Sequence, residues 1–161
     1  MQRRLIVALC LSLFALRAAA SPPKLLVFDF HFDNTSLEPT SDAEKTRVAR
    51  ISDELRAGLQ KSGEYEVIDE KPAAKLLSDV AWIGQCNGCE LPVAQQAGAQ
   101  LVAYGWVQKV SNLILNLNIV IEDANTGRHV KGGSVDIRGN TDETWDHGVR
   151  YLLKEHVFQT R

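Results

Sequence analysis

The second half of the chain carries the pattern that most limits the fold. Between residues 113 and 121 every odd position is Leu or Ile, whereas Asn116, Asn118 and Glu122 occupy even positions. Successive side chains of a strand point to opposite faces of a sheet. The pattern therefore predicts a strand over 113–123 with one buried face and one wetter face.

Two further strands are predicted on either side of it, over 101–110 and 129–138, joined by the turn sequences Ser-Asn and Asn-Thr-Gly. Short turns between such strands predict an antiparallel meander. In the third strand the apolar residues change from an even position, Val130, to an odd one, Val135. We therefore expect a β-bulge at the glycine pair 132–133.

The first half opens with a predicted strand from Lys24 to Phe32, followed by a turn-rich loop over 33–41. The two-residue period places alternate side chains on opposite faces. One face is expected to carry Leu26, Phe28, Phe30 and Phe32, and the other Leu25, Val27, Asp29 and His31.

A long helix is predicted over 42–61. Ser41 and Glu44 have the spacing of a capping box at its start, and Gly63 is placed to end it in a left-handed conformation. Apolar residues recur every three or four positions along it, which gives the helix one face for a core. A short strand over 65–68 follows.

Three more helices are predicted, over 71–78, 91–97 and 142–158. The element order is then β-α-β-α-α-β-β-β-α. This order predicts an α/β fold (α+β mixed) with a single mixed β-sheet of about five strands and helices mainly on one face.

The first 20 residues resemble a secretory signal peptide, with two early arginines, an apolar stretch of about 12 residues and the small run Ala-Ala-Ala at 18–20. We expect cleavage near Ala20, leaving one domain over 21–161 in the periplasm or outside the cell. An uncleaved anchor and a lipid-modified Cys10 are the alternatives. No later apolar run is long enough to span a bilayer.

Removing Arg3, Arg4 and Arg17 with the signal leaves 15 of the 18 basic residues against 20 acidic ones, a net charge of −5. A mildly acidic domain lacks the positive surface that nucleic-acid binding requires. We therefore expect no nucleic-acid partner.

The exported chain keeps two cysteines, Cys86 and Cys89, and an even pair in an exported protein favours a disulfide. Glu90 stands where a haem attachment site needs His. A thioredoxin-type redox pair remains an alternative, although the segment before Cys86 is irregular. A zinc site would need two more ligands, so no metal and no cofactor are expected.

Asp29 follows an apolar run, as does the nucleophile of dehalogenase-type phosphatases. Those enzymes need a second aspartate two residues later beside Mg²⁺, but His31 is there and the next aspartate is Asp33. The signatures G-x-S-x-G, H-E-x-x-H and G-x-x-x-x-G-K are absent as well. No catalytic residues are assigned, and the chain is expected not to be an enzyme.

Several motifs together resemble a known group of proteins. They are the strand LLVFDFHFDNTS, the short segment YEVID, the stretch GAQLVAYGWV over 98–107 and the strand end IEDANTG over 121–127. They are similar to a family of small, uncharacterised exported bacterial proteins over nearly all of residues 24–156. More distantly they resemble the domain shared by the curli secretion protein CsgG, the amino-terminal domain of TolB and the outer-membrane activators of penicillin-binding proteins.

The resemblance implies envelope assembly, docking or regulation without catalysis. The expected function is accordingly a non-catalytic, partner-binding or accessory module of the cell envelope, whose partner is another exported or envelope protein. A thiol–disulfide accessory protein acting through Cys86 and Cys89 is one alternative. A periplasmic small-ligand binder is another.

The candidate partner or ligand surface lies on the wetter face of the predicted sheet. Aromatic residues could line a groove there, although most such residues belong to a core. The candidate surface residues are Asp29, His31, Gln108, Asn116 and Asn118, and the aromatic candidates are Trp82, Tyr104, Trp106 and Trp145.

Overall fold

The computed structural model describes residues 21–69, 80 and 82–158. The expected signal peptide and the helix predicted over 71–78 lie outside these residues. Six strands and three helices are described: β1 Lys24–Val27, β2 His31–Asn34, α1 Asp42–Ser62, β3 Glu66–Asp69, α2 Glu90–Gln96, β4 Leu101–Lys109, β5 Ile114–Asp123, β6 His129–Arg138 and α3 Asp142–Leu152. A 3-10 turn, Ile83–Gln85, precedes α2, and a π-helical segment, Leu153–Val157, continues α3.

The strands form one mixed sheet in the order β3-β1-β4-β5-β6, with β2 paired to the far half of β4. β1 is parallel to β3 and β4, whereas β4, β5 and β6 form the antiparallel meander. The fold class predicted from the sequence is confirmed. The sheet has six strands because the first predicted strand is interrupted.

That interruption inserts one residue. Val27 pairs with Ala103 and His31 with Trp106, so the three residues from Phe28 to Phe30 lie opposite only two of β4. Odd-numbered side chains therefore point to one face of the sheet before the insertion and to the other face after it. The expectation that Phe28 and Phe30 share a face is wrong, because they belong to the cores on opposite faces of the sheet.

Two contacts hold the interruption in place. The buried Ser52 hydroxyl of α1 accepts a hydrogen bond from Phe30 N at 2.9 Å, which satisfies a backbone group that the sheet leaves unpaired. Gly105 of β4 leaves room for the Phe30 ring, since a Cβ at Gly105 would lie 2.5 Å from Phe30 Cε1.

The bulge in β6 also departs from its predicted position. Ile121 pairs with Lys131 and Glu122 with His129, so the extra residue is Val130, two positions before the glycine pair. The glycines serve close packing instead. A Cβ at Gly133 would lie 2.3 Å from the His156 ring, and one at Gly132 would lie 2.5 Å from the Ile119 carbonyl oxygen.

The main core lies between one face of the sheet and the two long helices. It includes Ile51 and Leu55 of α1, Trp145 and Val149 of α3, and the odd-numbered apolar residues of β5. The capping box of Ser41 and Glu44 and the left-handed Gly63 define the ends of α1 as predicted.

A second, smaller core lies on the other face, where α2 packs against β1 and the first half of β4. It contains Leu26, Phe28, Val93 and Val102. Within the described ranges, no α-helix packs on this face over the second half of β4, although Trp82, directly before the 3-10 turn, lies against Trp106 there. That region is the surface on which the candidate site lies.

Candidate functional site

Four of the five candidate residues lie on this second face. Strand pairing sets His31 beside Trp106, Trp106 beside Asn118, and Gln108 beside Asn116. We call the surface formed by His31, Trp106, Gln108, Asn116 and Asn118 the platform. All five are partly exposed. Trp106 was considered only as a groove-lining aromatic, and its register position makes it part of the platform.

The platform asparagines are oriented by hydrogen bonds along the sheet. Asn118 Nδ2 donates to Asn116 Oδ1 at 2.6 Å. Asn116 Nδ2 in turn donates to Ser134 Oγ and Asp136 Oδ1, both at 2.8 Å. A row of fixed side-chain amides on a flat surface presents donors and acceptors at defined positions, as a recognition surface requires.

Aromatic rings border the platform on the β2 side. The His31 ring stacks on Trp82 with centroids 4.9 Å apart, and Trp82 meets Trp106 edge-on at 5.7 Å. Burial lowers the pKa of His31, and the negative charge of Asp33 opposes that shift. The lowered pKa favours the neutral imidazole, which contributes an aromatic surface.

Asp29 is separated from the other four candidates. It is the middle residue of the interruption in the first strand, and Arg56 Nη2 of α1 donates a hydrogen bond to its carboxylate. Since α1 packs on the opposite face of the sheet, the pairing of Asp29 with Arg56 directs it away from the platform.

Lys109 also lies off the platform, although it follows Gln108 in the sequence. Its side chain is buried on the helix side of the sheet and forms an ion pair with Glu44 at the start of α1. A lysine at a strand end commonly lies in solvent. Lys109 is buried because the fold brings Glu44 and Glu38, which are distant in the sequence, next to its ammonium group.

The predicted disulfide is present and closes the loop before α2. Cys86 and Cys89 are bonded, and Cys89 immediately precedes Glu90, the first residue of that helix. Glu90 is buried, and burial raises its pKa, as does the negative charge of Glu122. Glu122 also accepts a hydrogen bond from the Tyr104 hydroxyl at 3.2 Å. This acidic cluster was missed from the sequence because Glu90 and Glu122 are 32 positions apart.

An apolar edge extends the platform at the β4–β5 turn. Val110, Leu113 and Ile114 are large apolar residues with 52%, 63% and 39% of their surface exposed. Val110 and Ile114 continue the rows of Gln108 and Asn116 on the second face. Exposed apolar residues next to ordered polar groups are typical of protein-binding surfaces.

Within the described residues, the fold is that of a small mixed α/β domain with two long helices on one face of the sheet and the short helix α2 on part of the other. The chain belongs to the family DUF3280, described as a protein of unknown function (DUF2380), whose model matches residues 23–157. This confirms the resemblance to an uncharacterised family.

Solved structures with similar folds include the C-terminal domain of LpoB from Salmonella enterica. It has a TM-score of 0.53 and 15% identity, and the match covers 76% of this chain and 87% of that one. The PelC dodecamer from Paraburkholderia phytofirmans has a TM-score of 0.53 and 17% identity, with coverage of 84% and 88%. Lipoprotein GNA1162 from Neisseria meningitidis has a TM-score of 0.52 and 16% identity, with coverage of 75% and 84%.

At these identities the similarity establishes the fold alone. No curated protein matches the sequence at a significant level. Among the described residues, no helix is long and apolar enough to cross a membrane.

Proposed function

We propose that this protein is an exported, non-catalytic module of the cell envelope that binds another exported protein through the platform and its apolar edge. The observation that carries the proposal is the continuity of the two surfaces. Ordered amides at Asn116 and Asn118 lie between aromatic rings and the exposed side chains of Val110 and Ile114. Protein interfaces combine apolar and aromatic anchors with surrounding hydrogen-bonding groups in this way.

The similar folds support this proposal by analogy. One of them is a lipoprotein, and another is a dodecamer, so the fold can assemble through its surfaces. The proposed domain comprises residues 21–161, with export directed by a signal peptide over 1–20. The proposed location is the periplasm or the cell exterior.

The test is an affinity capture from envelope extract of the source cells, with the protein expressed from its full sequence and tagged at the carboxyl end. Gln108→Arg places a long charged side chain on the platform. Asn125→Arg makes the same kind of change at the exposed β5–β6 turn, outside the platform, and is the matched control. Bound proteins are identified by mass spectrometry.

We expect an envelope protein that is captured by the wild type and by Asn125→Arg but is lost with Gln108→Arg. Equal capture by both variants would place the binding surface elsewhere and refute the proposal. Recovery of no specific protein, together with a small molecule that raises the melting temperature, would favour the ligand-binding alternative.

A further inference from the structure

The disulfide loop brings three metal-binding side chains together. The Cα atoms of Cys86 and Cys89 are 5.5 Å apart, and Cys86 Sγ lies 3.4 Å from Glu90 Oε2. The potential ligand atoms of these three residues all lie within 4.8 Å of one another. In the part of the chain that the structure describes, this is the one such grouping of three.

The loop backbone is suited to stabilising a thiolate at Cys86. Asn87 and Gly88 both have positive φ, at 57° and 97°, and this turn directs the backbone N–H of Cys89 to Cys86 Sγ at 3.2 Å. A hydrogen bond from an N–H group to a sulfur is stronger when the sulfur is charged. Such bonds orient and tune cysteine ligands in metal sites.

Glu90 supplies an independent observation. Glu90 is only 5% exposed, and its carboxylate lies next to the Cys86 sulfur. The backbone N–H of Glu90 donates a hydrogen bond to this carboxylate, and a disulfide sulfur has no proton with which to donate a second one. A single hydrogen bond compensates the burial of a carboxylate only in part, and a bound cation would add to that compensation directly.

We propose that the reduced form of this loop binds a thiophilic divalent cation of the zinc type through Cys86, Cys89 and Glu90. Reduction by a dithiol breaks the S–S bond and adds two electrons and two protons, giving two thiols while the donor becomes a disulfide. Metal binding then releases both thiol protons to solvent, since the thiolate is the ligand.

The resulting site has an open position. Two thiolates and one carboxylate give three protein ligands, and a tetrahedral zinc ion takes a fourth from solvent or from a bound molecule. Zn–S bonds of about 2.3 Å require sulfurs about 3.8 Å apart in a tetrahedral site, which side-chain rotation allows at the observed Cα separation. Oxidation removes the two thiolates, so metal binding is controlled by the redox state of the pair.

This inference does not depend on partner binding at the platform, and it differs from the expectation from the sequence that no metal binds. It is tested with Co²⁺ on untagged protein expressed from its full sequence, either oxidised or reduced with a phosphine. Reduced wild-type protein is expected to bind one Co²⁺ with the thiolate-to-cobalt absorption of a cysteine site, and to lose that absorption when Zn²⁺ is added. The oxidised protein is expected to show none.

Three variants separate this site from adventitious binding. Cys86→Ser/Cys89→Ser should abolish the absorption, and Glu90→Gln should retain the thiols but weaken Co²⁺ affinity by at least about tenfold. Glu122→Gln is the matched control, because it removes a neighbouring carboxylate that is not among the three ligands, and it should preserve the stoichiometry.

Circular dichroism of each variant establishes that it is folded. Absence of cobalt–thiolate absorption in reduced, folded wild-type protein would overturn the proposal. Equal Co²⁺ affinity in wild type and Glu90→Gln would overturn the role of Glu90.

Discussion

Lys109 Nζ lies 2.7 Å from Glu44 Oε1, and each of these side chains is only 2% exposed. Glu44 also accepts a hydrogen bond from Asn140 Nδ2 in the loop before α3, while Lys109 reaches Glu38 in the loop after β2. A single buried ion pair therefore joins the end of β4, the start of α1 and two connecting loops.

Replacement of Lys109 by Met should be strongly destabilising. It leaves the Glu44 charge buried without its partner, which costs about 3–5 kcal/mol in comparable pairs. The double variant Lys109→Met/Glu44→Gln should recover much of the loss, because Gln retains the capping box with Ser41. Urea unfolding measures the free energy of unfolding of the single and the double variant. Lys45→Met disrupts an exposed pair with Asp42 and should leave the urea midpoint close to that of the wild type. A Lys109→Met variant as stable as the control would contradict the prediction.

Stability should fall in acid through Glu44. Burial would raise its pKa, but hydrogen bonds from Lys109, Ser41 and Asn140 outweigh burial and lower it from 4.5 to about 2. Between these values the unfolded chain binds more protons, so the stabilisation is complete above about pH 4.5 and is lost as the pH falls towards 2. The difference corresponds to a free energy on the order of 3 kcal/mol.

The measurement is the urea midpoint of wild type and Glu44→Gln between pH 6 and pH 3. The wild type should lose more stability than Glu44→Gln across this range. If the urea midpoints of the two proteins fell equally with pH, protonation of Glu44 would not be the cause of the loss of stability.

Gly105→Ala should destabilise the fold by about 1–3 kcal/mol, the usual cost of overpacking. The new Cβ would lie 2.5 Å from the Phe30 ring and 2.6 Å from the Asn118 carbonyl oxygen, and that backbone atom is held by the sheet. Gly58→Ala is the matched control, since its Cβ would meet only the flexible end of Leu153 and would improve helix propensity. Thermal melts should show a lower melting temperature for Gly105→Ala alone.

Ser52→Ala should cost about 1–3 kcal/mol, because it leaves the buried Phe30 N–H without an acceptor. Thr46→Ala, on the exposed surface of the same helix, should change the free energy of unfolding by less than about 0.5 kcal/mol. Hydrogen exchange at Phe30 reports the lost bond directly and should accelerate in Ser52→Ala. Unchanged protection there would assign the amide another acceptor.

Features set by neighbouring residues were predicted correctly from the sequence. The capping box of α1, the left-handed Gly63, the meander and the Cys86–Cys89 bond all depend on residues close together in the chain. Their geometry follows from local dihedral preferences and side-chain reach.

Features set by distant residues were not predictable in the same way. The parity change at Phe28–Phe30 depends on Ser52 and Gly105, and the burial of Lys109 depends on Glu44. The β6 bulge was placed too late because glycine has two roles in strands, irregular backbone and close packing. The sequence alone does not distinguish them.

Asp29 adds one residue to the segment between β1 and β2, in addition to pairing with Arg56 through its carboxylate. It is the additional residue that lets Phe28 enter one core and Phe30 the other, although both have even numbers. Without that position, the alternation from Leu25 to Phe32 would be continuous and would leave the same side chains on the same two faces. Asp29 is therefore a spacer in the first strand. A homologue that lacks it can keep His31 beside Trp106 with an uninterrupted strand.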